Sequence, residues 1–257
     1  MKITIALLCG CKFKKKTITR AVVFLVSFFV FVTCNMLLVA QVKLSADVTT
    51  RQLYNDKVIR IEKQMFFSSN GNLVVHYTYP QEYYMITNSF GEASIYQPDV
   101  NEVVQINDKS LSSQNEFIML FLTPAYRDLN LTNIGFVLND MQKDGGRIVK
   151  TFYPEKKSDT IFAKAVVVSE KNNPIYSAFY NKDDKILKKT YYSDYVTYPN
   201  ISFPSVITQI SYDLVKGDSV IKKEEYKNIK TKDFNNNALF EYKVPKNAKR
   251  VEPYKKK

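Results

Sequence analysis

The sequence predicts a mainly β protein: a single curved antiparallel sheet, an incomplete β-barrel of about ten or eleven strands, covered by one or more short helices. Three observations predict it. Aromatic and aliphatic residues recur at a period of two through most of the chain, as in Leu73, Val75, Tyr77 and Tyr79 set against Val74, His76 and Thr78. Clusters of Gly, Asn and Asp punctuate these runs at hairpin spacing. One segment, LSSQNEFIMLFLTPAYRDL, breaks the rhythm and supplies the helical cover.

The N-terminus is set apart by order of composition. KFKKKTITR precedes an apolar run from Ala21 to Ala40, and a small residue stands before Gln41. Basic flank, hydrophobic segment and small residue are the order of a secretory signal peptide over residues 1–40. The same run is long enough to remain as an uncleaved anchor. A lipoprotein leader at Cys34 fits less well, because the apolar run continues past it through MLLVA. In either main case residues 41–257 form one exported domain ending in a basic tail, KNAKRVEPYKKK.

The exported part reads as consecutive hairpins. SADVTTRQLYNDK stands before the first strand, VIRIEKQMFF; SSNG then turns the chain into GNLVVHYTY. NSFG follows YYMIT, KDGG separates GFVLNDM from RIVKTFY, NKDD separates PIYSAFY from KILKKTYY, and KGD separates ITQISYDLV from VIKKEEYKNI. Each is a turn cluster between runs rich in Val, Ile, Tyr and Phe. In the odd segment, Ser113 and Glu116 have capping-box spacing, Phe117, Leu120 and Phe121 fall at helical offsets, and Pro124 marks a stop. The run FIMLFL taken alone also suits a buried strand. FEYKVP closes the sheet as a last strand ending at Pro245.

Charge and chemistry exclude several functions. The chain carries +12, but Lys2, Lys12, Lys14, Lys15, Lys16 and Arg20 sit in the leader with no acid, so the exported part keeps only +6. That removes much of the case for nucleic-acid binding. Cys9, Cys11 and Cys34 all lie in the leader, leaving the exported chain without a disulfide or a thiol for metal or nucleophilic chemistry. His76 is the one histidine, there is no GxSxG elbow, and KDGGR lies between strands and not before a helix, where phosphate loops sit. Asp183 and Asp184 belong to a turn, and Lys222, Lys223, Glu224 and Glu225 read as a solvated strand end. The expectation is a monomeric non-enzyme without cofactor or metal.

What remains is aromatic surface. From Gly71 to Pro98 the chain has no Lys or Arg but five tyrosines, and eighteen tyrosines stand in the whole chain with no tryptophan. A tyrosine ring is apolar while its hydroxyl wants water or a partner, which suits an amphipathic cavity wall. Leu73, Val75, Tyr77 and Tyr79 share one strand face, and Tyr84 and Ile86 are expected to join it from the next strand.

The order of GNLVVHYTY, Pro80, YYMIT, a short turn, IYQP and the polar strand NEVVQI resembles the first half of LolA-type periplasmic carriers of outer-membrane lipoproteins. FEYKVPKNAKRV is similar to that family's C-terminal strand. The resemblance implies an incomplete barrel lidded by helices that holds lipoprotein acyl chains in an apolar interior. It would place the protein in the periplasm of a Gram-negative envelope, between membrane-bound donor and acceptor proteins. Phe117, Leu120 and Phe121 would be lid contacts over the wall formed by Leu73, Val75, Tyr77, Tyr79, Tyr84 and Ile86. Two departures stand beside it. The family commonly opens with a longer amphipathic helix, and it carries an Arg near the proline where this chain has Gln81 and Glu82. The alternative use of such a fold is an envelope scaffold that docks a protein partner by a sheet edge or the basic tail.

Overall fold

A computed structural model describes residues 43–122, 127–155, 161–198, 201–232, 234 and 237–253. The expected leader, the stop at Pro124 and the last four residues of the tail lie outside the described residues. The described residues build one large, curved, unclosed sheet of fourteen strands, more than the hairpin count predicts, with one short α-helix.

The first strand is the middle of the sheet. In β1 (Lys43–Tyr54) Leu44, Ala46, Val48 and Thr50 are buried in strict alternation. From it the chain zigzags outward through β2 (Lys57–Ser68), β3 (Leu73–Tyr79), β4 (Tyr83–Thr87), β5 (Glu92–Gln97) and β6 (Glu102–Asn107). It then passes over one face, here called the inner face, carrying α1 (Phe117–Leu122), and reaches the far edge as β7 (Phe136–Asp144). The return runs through β8 (Arg147–Pro154), β9 (Lys164–Glu170), β10 (Asn173–Tyr180), β11 (Ile186–Tyr198), β12 (Ile201–Asp213) and β13 (Asp218–Lys230). There β13 pairs antiparallel with β1 from Ser45↔Lys230 to Leu53↔Ile221.

Three features depart from the sequence reading. SADVTTRQLYNDK does not precede the first strand: it is β1 and its turn, in which Asn55 and Asp56 both have positive φ, as a two-residue hairpin loop requires. Its small and polar inner-face residues, Ala46 and Thr50, mute the alternation. FEYKVPKNAKRV is not an aromatic strand. Asn237–Glu241 form a 3-10 turn, and β14 is only Lys249–Val251, parallel to β6. Its aromatics share a side because they lie flat on the outer face of the sheet, Phe240 meeting Phe66 at 5.5 Å and Tyr242 stacking on Tyr84 at 4.2 Å.

The capping-box spacing is not used as a box. Ser112 caps a 3-10 turn before α1 by accepting from the Gln114 N–H, while the buried Ser113 hydroxyl donates to the Gly71 carbonyl at 2.7 Å. With Thr87 donating to the Leu111 carbonyl at 2.6 Å and Ser112 to the Ser89 carbonyl at 2.8 Å, these bonds fasten the approach to α1 onto the β2–β3 and β4–β5 turns. Gly91 lies in the same clasp: its φ is +84°, and a Cβ there would stand 2.3 Å from the Asp108 carbonyl oxygen.

Gly91→Ala should therefore destabilise the protein by about 2–4 kcal/mol, from wrong-handed backbone and steric conflict together. Gly145→Ala, at φ +52° with nothing within 4 Å, should cost no more than about 1–2 kcal/mol. Urea unfolding midpoints of the two variants decide it; equal losses would mean the close approach at Gly91 carries no weight.

Candidate functional site

The inner face beneath α1 is apolar and closely filled. Leu44, Ala46 and Val48 from β1, Met65 and Phe67 from β2, Leu73 and Val75 from β3, and Phe203, Ile207 and Tyr226 from β12 and β13 make one cluster with Ile118 and Phe121. All six residues of α1 are apolar, FIMLFL. Phe121 meets Tyr192 at 5.7 Å, Tyr195 at 6.3 Å and Phe203 at 5.5 Å, all edge-to-face. Phe117 reaches the Tyr192 ring at 6.5 Å, and Leu120 packs on the same cluster. A second cluster, Leu131, Phe136, Phe152, Ala165 and Val167, continues the face toward β7, with Leu129 touching both.

Of the expected wall residues, Leu73 and Val75 lie fully buried under α1 and Tyr77 packs against them, its ring stacked on Tyr83 at 4.1 Å. Burial, helped by the Glu116 charge, pushes the Tyr77 hydroxyl up to about 12. Tyr79 stands at the strand end, where a register shift lies opposite in β2, and is half exposed. Tyr84 and Ile86 do not join this wall. The β3–β4 register sets Tyr84 opposite His76 and Ile86 opposite Val74, which turns both to the outer face, and brings Met85 and Tyr83 inward instead. A one-residue difference in register exchanges the two faces, and nothing in YYMIT fixes it.

On the outer face, Tyr84 is sandwiched between His76 at 4.2 Å and Tyr242 at 4.2 Å, and His76 Nε2 lies 2.8 Å from Glu82 Oε1. The tail segment there roofs a cavity of about 810 Å³ lined by Val74, Ile86, Ser94, Gln105, Phe240 and Tyr242. Among the described residues no group of three or more His, Cys, Asp or Glu side chains is arranged for a metal ion. Asp183 and Asp184 sit in the β10–β11 turn, organised by Asn181, whose side-chain oxygen accepts from the Asp183 and Lys185 N–H groups.

Sequence reasoning missed one element of the inner face. Lys222 and Glu224 are not a solvated strand end: Glu224 is 2 % exposed. Its Oε1 takes Lys222 Nζ at 3.1 Å, Lys63 Nζ at 3.6 Å and the Thr50 hydroxyl at 3.3 Å. Burial alone would raise its pKa, but Lys63 and Lys222 outweigh that and hold it below the ordinary value. The signal was the alternation itself, since Tyr226 is inward-facing and residues 224 and 222 must follow it, while Lys223 and Glu225 pair on the outer side at 2.8 Å.

Glu224→Gln should lower stability by about 3–5 kcal/mol at neutral pH, because it strands the nearly buried Lys63. The carboxyl is more acidic folded than unfolded, so its contribution is complete above about pH 5 and drains as pH falls through 4.5 toward the folded value. The variant should lose less stability than the parent between pH 7 and about pH 3.5, measured by urea unfolding at both.

No family model and no curated protein sequence matches the chain. Solved structures do. A DUF1329 family protein from Desulfovibrio piger superposes with a TM-score of 0.53 at 14% identity, covering 79% of this chain and 90% of its own, which shows a shared fold. The LolA superfamily protein NE2245 from Nitrosomonas europaea gives 0.48 at 15% identity, covering 78% and 90%. An outer membrane lipoprotein-sorting protein domain from Vibrio parahaemolyticus gives 0.49 at 14%, covering 77% and 88%.

Proposed function

We propose that this chain is a non-enzymatic exported carrier or sorting factor that binds acyl chains of lipoproteins or lipids on its inner face, in the place α1 occupies. The observation that carries the reading is α1 itself: six apolar residues, too few for a stable helix alone, laid on a continuous apolar face and fastened at their N-terminal approach by hydrogen bonds. Such a segment is a stand-in for ligand. Acyl chains could replace its contacts like for like, each buried methylene contributing ~0.8 kcal/mol. Leu73, Val75 and Tyr77 would then be wall, and Phe117, Leu120 and Phe121 lid; Tyr84 and Ile86 would serve only a ligand under the tail. A ligand held this way leaves by transfer to a membrane-bound acceptor more readily than into water. The resemblance of the strand order to the lipoprotein carriers, and the leader-like N-terminus, agree with periplasmic work of this kind.

A second reading has an observation of its own. β7 is an edge strand of nine residues, eight of them exposed, including Val137, Leu138 and Met141. It offers a docking edge for a protein partner by strand addition.

Native mass spectrometry of the protein, expressed with its leader and purified from the envelope, should show a one-to-one complex with a synthetic triacylated lipopeptide. Hydrogen exchange should rise at residues 117–122 and stay low in β1 and β13. Phe121→Ala should tighten lipopeptide binding by about tenfold or more, because α1 then leaves the face at lower cost. No lipopeptide complex, with unchanged exchange in α1, overturns the carrier reading in favour of docking at β7.

A further inference from the structure

The inner face is graded along its strands. At one end Tyr226, Phe203 and Ile207 lie in the apolar cluster under α1. Two residues along β13 comes Glu224, and two further comes Lys222, about 13 Å from Tyr226 at the usual rise per residue. Strand pairing extends this polar end: Lys222 stands opposite Gln209, Gln209 opposite Thr190, and Lys188, two residues before Thr190, lies opposite Ser211. Lys188 is half-buried beside Phe179, with which it is paired across β10.

Charge there does not balance. Lys63 and Lys222 pair with Glu224, whose Oε1 is already occupied by them and by Thr50, and Lys188 stands outside that cluster. Among the described residues no carboxylate pairs with Lys188. On the outer side and at the edges, Lys223 and Arg51 pair with Glu225, Lys249 with Glu102 and Lys164 with Asp184. Burial first, and then the neighbouring Lys222 cation, hold the Lys188 ammonium below the ordinary lysine range. Register sets Lys188 opposite Ser211 and Lys222 opposite Gln209 on one half-buried face, where two like charges oppose folding. An anion between them removes the penalty, with Gln209 and Ser211, bonded to each other at 3.3 Å, lining the floor.

We propose that Lys188 and Lys222 form a phosphate-binding subsite for the headgroup of the amphiphile whose chains replace α1. The inference rests on the acyl-binding reading above and adds to it the ligand's class: an anionic, phosphate-bearing lipid, with its chains under α1 and its phosphate toward the open end of β11–β13.

Titration calorimetry of the full chain separates the parts, using dihexanoyl phosphatidic acid, uncharged dihexanoylglycerol with the same chains, and inorganic phosphate. The expected result is that phosphatidic acid binds best. Lys188→Gln, which breaks no ion pair, should weaken it about ten- to a hundredfold while leaving dihexanoylglycerol unchanged. Equal binding of both lipids, insensitive to Lys188→Gln, would overturn the subsite and leave acyl binding standing. Binding of neither lipid would overturn acyl binding itself. Inorganic phosphate alone, bound in a Lys188-dependent way without either lipid, would overturn the headgroup assignment in favour of a free anion. Lys188→Arg, keeping the charge, should restore most of the phosphatidic acid affinity; failure to do so after a loss in Lys188→Gln would also count against charge recognition.

Discussion

Everything in this sheet hangs on the antiparallel pairing of β1 with β13, two strands more than 160 residues apart in the chain. On one side of that seam lie the strands made early, β2 to β6, and on the other the strands made late, β12 back to β7. The seam sets Val48 opposite Tyr226 and Thr50 opposite Glu224. The apolar cluster under α1 and the polar cluster beyond it are therefore both assembled from the two halves, and neither half could make them alone. A one-residue slip of β13 against β1 would turn Tyr226 outward and bring Lys227 to the inner face beside Val48.

A sheet so wide has two faces to cover, and the chain covers them with its two long connections. The β6–β7 connection crosses the inner face with α1, and the segment after β13 crosses the outer face with Phe240 and Tyr242. The coverings differ in kind. The outer one ends by joining the sheet as β14, with Lys249 on Glu102 at 3.0 Å, and its rings stack on Tyr84 and Phe66. The inner one is held by hydrogen bonds at its approach and by apolar packing along α1.

The fold class was legible in the sequence because period-two alternation and turn chemistry are local. KDGG, NKDD and SSNG each close the hairpin they announced, and FIMLFL is a helix. What was not legible depends on partners far away. β1 is the best buried strand in its alternation, yet Ala46 and Thr50 give it a weak hydrophobic signature; its burial comes from neighbours on both sides. Tyr84 and Ile86 went to the other face because register, which a run such as YYMIT does not encode, decides the side. Glu224 reads as solvated by its type, and only its position two residues from Tyr226, under the β1 seam, buries it. The closing aromatic segment imitated a strand because laying a chain flat on a sheet selects the same spacing.

The order of strands also sets when the protein can be finished. A chain that emerges from its N-terminus lays down the central strand first, so β1 has one edge paired with β2 and the other open until residues 218–230 arrive. For that interval the nascent sheet presents the open edge of its central strand as a template for any passing extended chain. Contacts of such sequence separation form slowly. The waiting time, more than the final stability, is then where a holding chaperone would matter, and a ribosomal or translocation pause before β13 would lengthen it.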